Sequence, residues 1–403
     1  MAPRGRIEGR NGMKRRFGTS ILLVVACIGA GVAHAAPYGI NTHLPDEGVL
    51  DKVQAAGIGS IRVDFNWFAI EPSRGVYDWS AYDRVVAAAR DRGLSIFATL
   101  AYTPGWANGG RPQSHPPDDV RDWTDFVATA VTRYRDEITF WGLWNEPNLD
   151  HFFEGTPQDY LDKILLPGAE AIRGANPSAR VLGPELAHLN SLEHNWALWM
   201  DAIFQGGGKG AIDIVTHHIY RDDVEELFRN LEVGEGVYPS VLQVLERNGV
   251  ADKPFWLTET GWPTDDPEAG ETPEQQAENY EAFLTEMLYD SRKLRIDRVF
   301  FYEIIDDPTP EVPKWGILHA DRTEKPAYGV YRRFIAEHPD GDPIEDPSTC
   351  GVLPRVGGGG PRLALFLSLL SPLSLAWGWR AASPVSHTHR EGWQRPFRGC
   401  PDS

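Results

Sequence analysis

The chain has 403 residues, 42% hydrophobic and 24% charged, which suits a soluble globular protein with a large core. Its net charge of −18 argues against a phosphate- or nucleic-acid-binding surface. The three cysteines, Cys27, Cys350 and Cys400, all lie near the ends, which excludes a thiol nucleophile or a cysteine metal site from the body of the chain.

The N-terminal region reads as an export leader. Met13-Lys14-Arg15-Arg16 precedes the apolar run Ile21 to Val32, then the small-x-small pattern Ala33-His34-Ala35. Cleavage is expected after Ala35. Val24-Val25-Ala26-Cys27 offers a second reading, a lipoprotein site, behind a short apolar run.

From residue 38 onward, short apolar segments alternate with amphipathic ones. Strands are expected over 38–44, 60–67, 95–102, 138–146, 180–186, 213–220, 254–262 and 297–305. Helical patterns lie between them. In the helix containing "DDVRDWTDFVATAVTRYRDE", Val120, Trp123, Phe126, Val127 and Val131 share a face. In "TPEQQAENYEAFLTEML", Thr272, Pro273 and Gln275 form a capping-box start. "PAYGVYRRFIAEH" is the last helix. Eight strands with helices between them are the count of an α/β fold of the (β/α)8 TIM-barrel type, here over residues 36–340. The rival, a doubly wound open sheet, ordinarily carries a glycine-rich first turn. The first strand here runs instead into Asn41-Thr42-His43-Leu44.

After His338 the composition changes. Residues 341–361 read as a linker, and 362–403 as a hydrophobic tail. The uncharged run 363–379, interrupted by Pro372 and followed by Arg380, Arg390, Arg395 and Arg398, reads as a membrane anchor or sorting signal.

A TIM barrel carries its chemistry at the C-terminal tips of its strands. Polar residues gather at those tips: Asn41 and His43, Arg62 and Asp64, Tyr102, Asn145 and Glu146, His218 and Tyr220, Glu259, Tyr302 and Glu303. Two carboxylates stand out. Glu146 ends the apolar run of "FWGLWNEPNLD", and Glu259 ends that of "PFWLTETGW". Proline after Glu146 removes a backbone donor and turns the chain out of the sheet, leaving the carboxylate at the rim. A lone glutamate at a strand tip is ordinarily a solvated rim residue. Two on opposed walls of one barrel mouth can face each other at about 5 Å, the spacing of a retaining glycosidase.

"WNEPN" with "TETGWP", together with "NWFAIEPSRGVYDWSAYD" and "AYTPGWA", resembles the retaining β-glycosidases of the large (β/α)8 clan that contains cellulases and xylosidases. The likeness is greatest to glycoside hydrolase family 39 and related bacterial exopolysaccharide hydrolases. It spans roughly residues 38 to 336. The resemblance implies an enzyme acting on a β-linked carbohydrate; with the leader it is expected to be exported, and no cofactor or metal is expected. It implies Glu146 as acid/base and Glu259 as nucleophile. It further implies Asn145 on the sugar 2-hydroxyl, Arg62 holding the nucleophile ionised, and His218 and Tyr220 on one face of strand six. Trp106, Trp262 and Trp315 are candidate sugar platforms, and Tyr102 and His43 candidate substrate contacts. "GPELAHLN" departs from the pattern: Glu185 and His188 either define the substrate or form a salt bridge. Adjacent His217 and His218 point to opposite faces of a strand and so cannot share one ion. A transglycosylase shares every catalytic residue with a hydrolase. A non-catalytic sugar-binding barrel is the reading from another class, and the presence of both glutamates argues against it.

Overall fold

A computed structural model describes residues 36–265 and 271–348. The expected leader and the apolar tail lie outside the described residues. Eight strands form: β1 (Tyr38–Asn41), β2 (Ser60–Asn66), β3 (Ser95–Ala101), β4 (Phe140–Leu143), β5 (Arg180–Ala187), β6 (Ile214–His218), β7 (Phe255–Thr260) and β8 (Arg298–Phe301). Each pairs with the next in parallel, and β1 pairs with β8, so the sheet is a closed barrel. That excludes the open doubly wound alternative. The regular rhythm of apolar runs sufficed to place all eight strands to within a few residues.

The connecting helices wrap the outside. Trp123, Phe126, Val127 and Val131 on helix Val120–Arg133 are buried as their spacing requires, while Val120 at its start is half-buried. Helix Pro273–Leu288 begins with the expected box: the Thr272 hydroxyl accepts from Gln275 N–H, and the Gln275 side chain accepts from Thr272 N–H. Several strands are followed by more than one helix; β6, for example, leads into Val224–Glu232 and Val241–Asn248.

Residues 341–348 correct the expected linker. Ile344 N–H donates to Leu288 O at 2.8 Å, and Asp290 N–H donates to Ile344 O at 2.9 Å. This segment is hydrogen-bonded to the barrel, whose domain therefore runs past residue 340. Among the described residues no helix is long and apolar enough to cross a membrane.

The barrel interior is stacked in layers. Phe97, Leu182, Ile214, Trp256 and Phe300 form an apolar plug, with Phe140 packed against it. The Arg62 guanidinium lies 5.7 Å from the Phe97 ring centroid, so a polar layer sits directly on the plug. Gly142, inside β4, makes that layer possible: a methyl group there collides with the Glu185 carboxylate and crowds Phe97. Gly142→Ala should therefore lower unfolding stability by about 1–3 kcal/mol through overpacking. Urea unfolding measures this, and an unchanged midpoint counts against the layered account.

Candidate active site

The strand tips turn abruptly. Of the non-glycine residues with positive φ among the described residues, His43, Tyr102, Trp144 and Glu146 follow barrel strands at the mouth, and Glu185 lies two residues before the end of β5. Such conformations are uncommon for L-residues and cost on the order of 1–3 kcal/mol each. The turn at Trp144 (φ 78°) ends β4 at Leu143, three residues before the expected end. Glu146 N–H still donates to Glu185 O at 3.1 Å, which keeps the chain beside β5. Glu146 is thus at the mouth, yet it is only 8% exposed and not on an open rim.

Arg62, 2% exposed, is the centre of the polar layer. Its Nε donates to Glu185 Oε2 at 3.1 Å. Its Nη2 donates to the same oxygen at 2.7 Å and to Asn145 Oδ1 at 2.7 Å. Its Nη1 donates to Glu259 Oε1 at 2.8 Å and to Asn41 Oδ1 at 2.9 Å. A guanidinium has five N–H donors, and here all are used. Asp64, two residues further along β2, stands off from Arg62 at 3.9 Å. Glu185 has no exposed surface and also accepts from the Thr99 hydroxyl at 3.2 Å, so it is a buried counter-ion below the mouth.

Glu259 is held at both oxygens. Arg62 occupies Oε1, and the Tyr220 hydroxyl donates to Oε2 at 2.7 Å. Glu146 Oε1 lies 2.9 Å from His218 Nδ1. Single atoms of Glu146, His218 and Glu259 all lie within 4.8 Å of one another. Burial raises the Glu146 carboxyl above its ordinary pKa, and the charge of Glu259 adds to this. Burial works against a charge on His218, but Glu259 and Glu146 hold its pKa up at about 9. Its Nε2 is 3.7 Å from Glu185 Oε2, an electrostatic rather than a hydrogen-bonded distance. A metal ion fits this trio in spacing alone. A guanidinium at 2.8 Å from Glu259 and a proton held on His218 already supply the positive charge, so the donor set suits proton sharing better.

The two neighbouring histidines part as the pleat requires. His217 points away from the mouth, where its Nε2 lies 2.9 Å from His188 Nδ1. His188 stacks on Trp196 with centroids 4.5 Å apart and stays outside the carboxylate cluster. Burial pushes His188 down to about 3 and His217 well below its ordinary value, so both are neutral.

The three expected platforms fare differently. Trp315 stands edge-on to Tyr220, with centroids 5.0 Å apart, and to Tyr302 at 6.0 Å. Trp262 is 1% exposed and packs on Tyr280 and Phe283, so it is core and offers no face to a sugar. Trp106 donates its indole N–H to Glu71 O at 2.7 Å, and the Arg74 guanidinium lies 4.7 Å from its ring centroid. That cation covers one face of the ring. Tyr102 packs on Trp144 and Phe152, close enough to the cluster for Glu146 and Glu259 to add to burial in raising its pKa. His43 bridges two carboxylates, Asp64 at 2.8 Å and Glu303 at 3.2 Å. Burial pushes Asp64 up, but His43 and Arg62 hold it at about 2. Asp64, Glu303 and Asn41 were legible only as members of the strand-tip set; their bridging role needs the closed barrel.

The folded pKa of His218, held up at about 9, lies above its ordinary value of 6.5. Its charge therefore contributes fully to stability below about pH 6.5, and that contribution is lost as pH rises through about 9. His218→Asn is expected to cost more unfolding free energy at about pH 6 than at about pH 10. Equal losses in denaturant titrations at the two pH values contradict this.

The sequence model of glycosyl hydrolases family 39 matches residues 56–296. A 128-residue stretch is 32% identical to endo-1,4-beta-xylanase A of Fusarium oxysporum f. sp. lycopersici, covering 30% of this chain and 37% of that one. A 124-residue stretch is 24% identical to a beta-xylosidase of Geobacillus stearothermophilus, covering 27% and 25%. The chain thus spans well under half the length of these two relatives. Among solved structures, a family 39 glycoside hydrolase from Bacteroides cellulosilyticus WH2 superposes with a TM-score of 0.58 at 20% identity, over 75% of this chain and 64% of that one. A monomeric beta-xylosidase from Caulobacter crescentus CB15 does so at 0.57 and 19%, over 75% and 68%. These structures share the barrel. The family match covers more than half of the chain and includes both carboxylates: the chain belongs to glycosyl hydrolases family 39.

Proposed function

We propose that this protein is an exported, retaining β-glycoside hydrolase working by double displacement. The observation that carries the reading is the closeness of two unlike carboxylates. One oxygen of each lies within 4.8 Å of the other, the short spacing of a retaining pair rather than the about 6.5–9.5 Å that admits a water. Their surroundings separate the roles. Glu146, raised by burial, holds a proton and gives it to the leaving oxygen. Glu259, clamped by Arg62 and Tyr220, attacks the anomeric carbon. A glycosyl ester forms as the aglycone leaves with the proton. Glu146, now ionised, takes a proton from water, and the water cleaves the ester. Arg62 fixes the amide oxygen of Asn145, which leaves the amide nitrogen to donate to a sugar 2-hydroxyl. The relatives named for xylan and xylosides make β-xylosides the first substrates to try, with β-glucosides beside them.

Glu259→Ala should abolish turnover of aryl β-glycosides, because no covalent intermediate forms. Azide should restore some turnover and give a glycosyl azide of inverted configuration. Glu146→Ala should keep its first step on dinitrophenyl glycosides, whose leaving group needs no proton, and should accumulate glycosyl-enzyme. Its azide product should retain configuration. NMR of the first-formed sugar checks the wild type: an inverted product defeats the role assignment, and undiminished turnover in both variants defeats the site itself. For export, the mature N-terminus should be Ala36. Sequencing secreted protein and finding Met13 or Met1 rejects that reading.

A further inference from the structure

Trp315 is the expected platform that the fold brings beside Tyr220, and buried polar side chains hold its backbone. It lies in the long connection between β8 and helix Pro326–Glu337. Buried polar side chains from separate parts of the chain converge on the Trp315–Gly316 segment. Gln276, on helix Pro273–Leu288 and without exposed surface, donates its amide N–H to Trp262 O at 2.8 Å, Gly316 O at 3.3 Å and Trp315 O at 3.4 Å. Asp306 Oδ1 accepts from Gly316 N–H at 2.9 Å. The Lys325 ammonium, 1% exposed, donates to Asp306 Oδ1 at 2.8 Å, Thr264 Oγ1 at 2.9 Å and Lys314 O at 3.2 Å. The fit is close throughout. A methyl group on Gly316 collides with the Asp306 backbone, and one on Gly261, beneath the Trp315 ring, collides with Tyr302 O.

Burying an amide and an ion pair is expensive. Apolar side chains could anchor a loop at lower cost, but hydrogen bonds are directional and fix the orientation of a peptide. What they orient here is the indole that stands against Tyr220, whose hydroxyl binds Glu259 Oε2. We propose that Gln276, Asp306 and Lys325 are positioning residues for the reaction: they hold Trp315 against Tyr220 and so keep the Tyr220 hydroxyl on the nucleophile. This rests on the assignment of Glu259 above. None of the three touches the carboxylates; each acts through the loop.

The test uses Gln276→Leu, close to isosteric, with Lys325→Met as a second variant should the first fold poorly. Two readouts separate positioning from general weakening. The first needs no substrate. In protein labelled with 5-fluorotryptophan, the Trp315 fluorine line, assigned by Trp315→Phe, should be single in the wild type. In either variant it should broaden or split, while the line of Trp141 on β4 stays put. The second readout is kcat/KM on an aryl β-glycoside in a double-mutant cycle with Trp315→Ala. Gln276→Leu should lower it about tenfold when Trp315 is present and less than about twofold when it is absent. An unchanged Trp315 line overturns the proposal, and so do equal losses in both backgrounds. Should Glu259→Ala remain fully active, the nucleophile assignment is what has failed, and the fluorine line alone decides whether the clamp exists.

Discussion

A guanidinium buried at the top of the barrel's apolar plug is the constraint from which the site follows. An ion without water needs counter-charge and a partner for every donor, or it destabilises the fold. Arg62 finds both: Glu185 from β5 and Glu259 from β7 supply the charge, and Asn41 and Asn145 complete the hydrogen bonds. These partners come from or just beyond four different strands, so one cation ties the barrel together where its strands end. The same contacts give the two mouth carboxylates different surroundings. Glu259 shares its cation with Glu185, while Glu146 is held by His218 and feels Arg62 less. The two carboxylates therefore differ in their partners: the guanidinium reaches Glu259 at 2.8 Å, and the imidazole reaches Glu146 at 2.9 Å.

The cost appears in the backbone. His43, Tyr102, Trp144, Glu146 and Glu185 adopt positive φ, and all lie at or near strand ends facing this cluster. Regular strands alternate their side chains and cannot aim successive residues at one point. The irregular tips do so, and the buried ion pairs below hold them there. β6 shows the complementary case, where regular alternation is enough. His218 faces the carboxylates and is held charged; His217 faces His188 and Trp196 and is held neutral. Two adjacent residues of one type thus take opposite protonation states because the pleat assigns them opposite neighbours.

Much of this was legible from local pattern. Apolar runs of fixed spacing placed the eight strands, and the two glutamates at the ends of β4 and β7 stood out by the loops that follow them. Arg62, His218 and Tyr220 were legible as well, as polar residues at the tips of apolar runs. The tryptophans were not. Trp106, Trp262 and Trp315 all follow strands in loops rich in Gly or Pro, and nothing in their immediate sequence separates a ring that packs inward from one that faces the mouth. The fold buries Trp262 against Tyr280 and Phe283, covers Trp106 with Arg74, and leaves Trp315 beside Tyr220.

The sequence by itself determined the order of elements, the barrel and the strand-tip position of the two carboxylates, because strand period, turn residues and tip position are local properties of the chain. The tertiary structure alone decided which groups those carboxylates meet. Arg62 and Glu185 are 123 positions apart, and Arg62 and Glu259 are 197 apart. Glu185, undecided between substrate contact and salt bridge in the sequence, became a buried counter-ion only when closure of the barrel brought β5 to face β2 across the interior. Charge balance in a dry interior is a property of the whole set of neighbours, and no single segment of the chain contains that set.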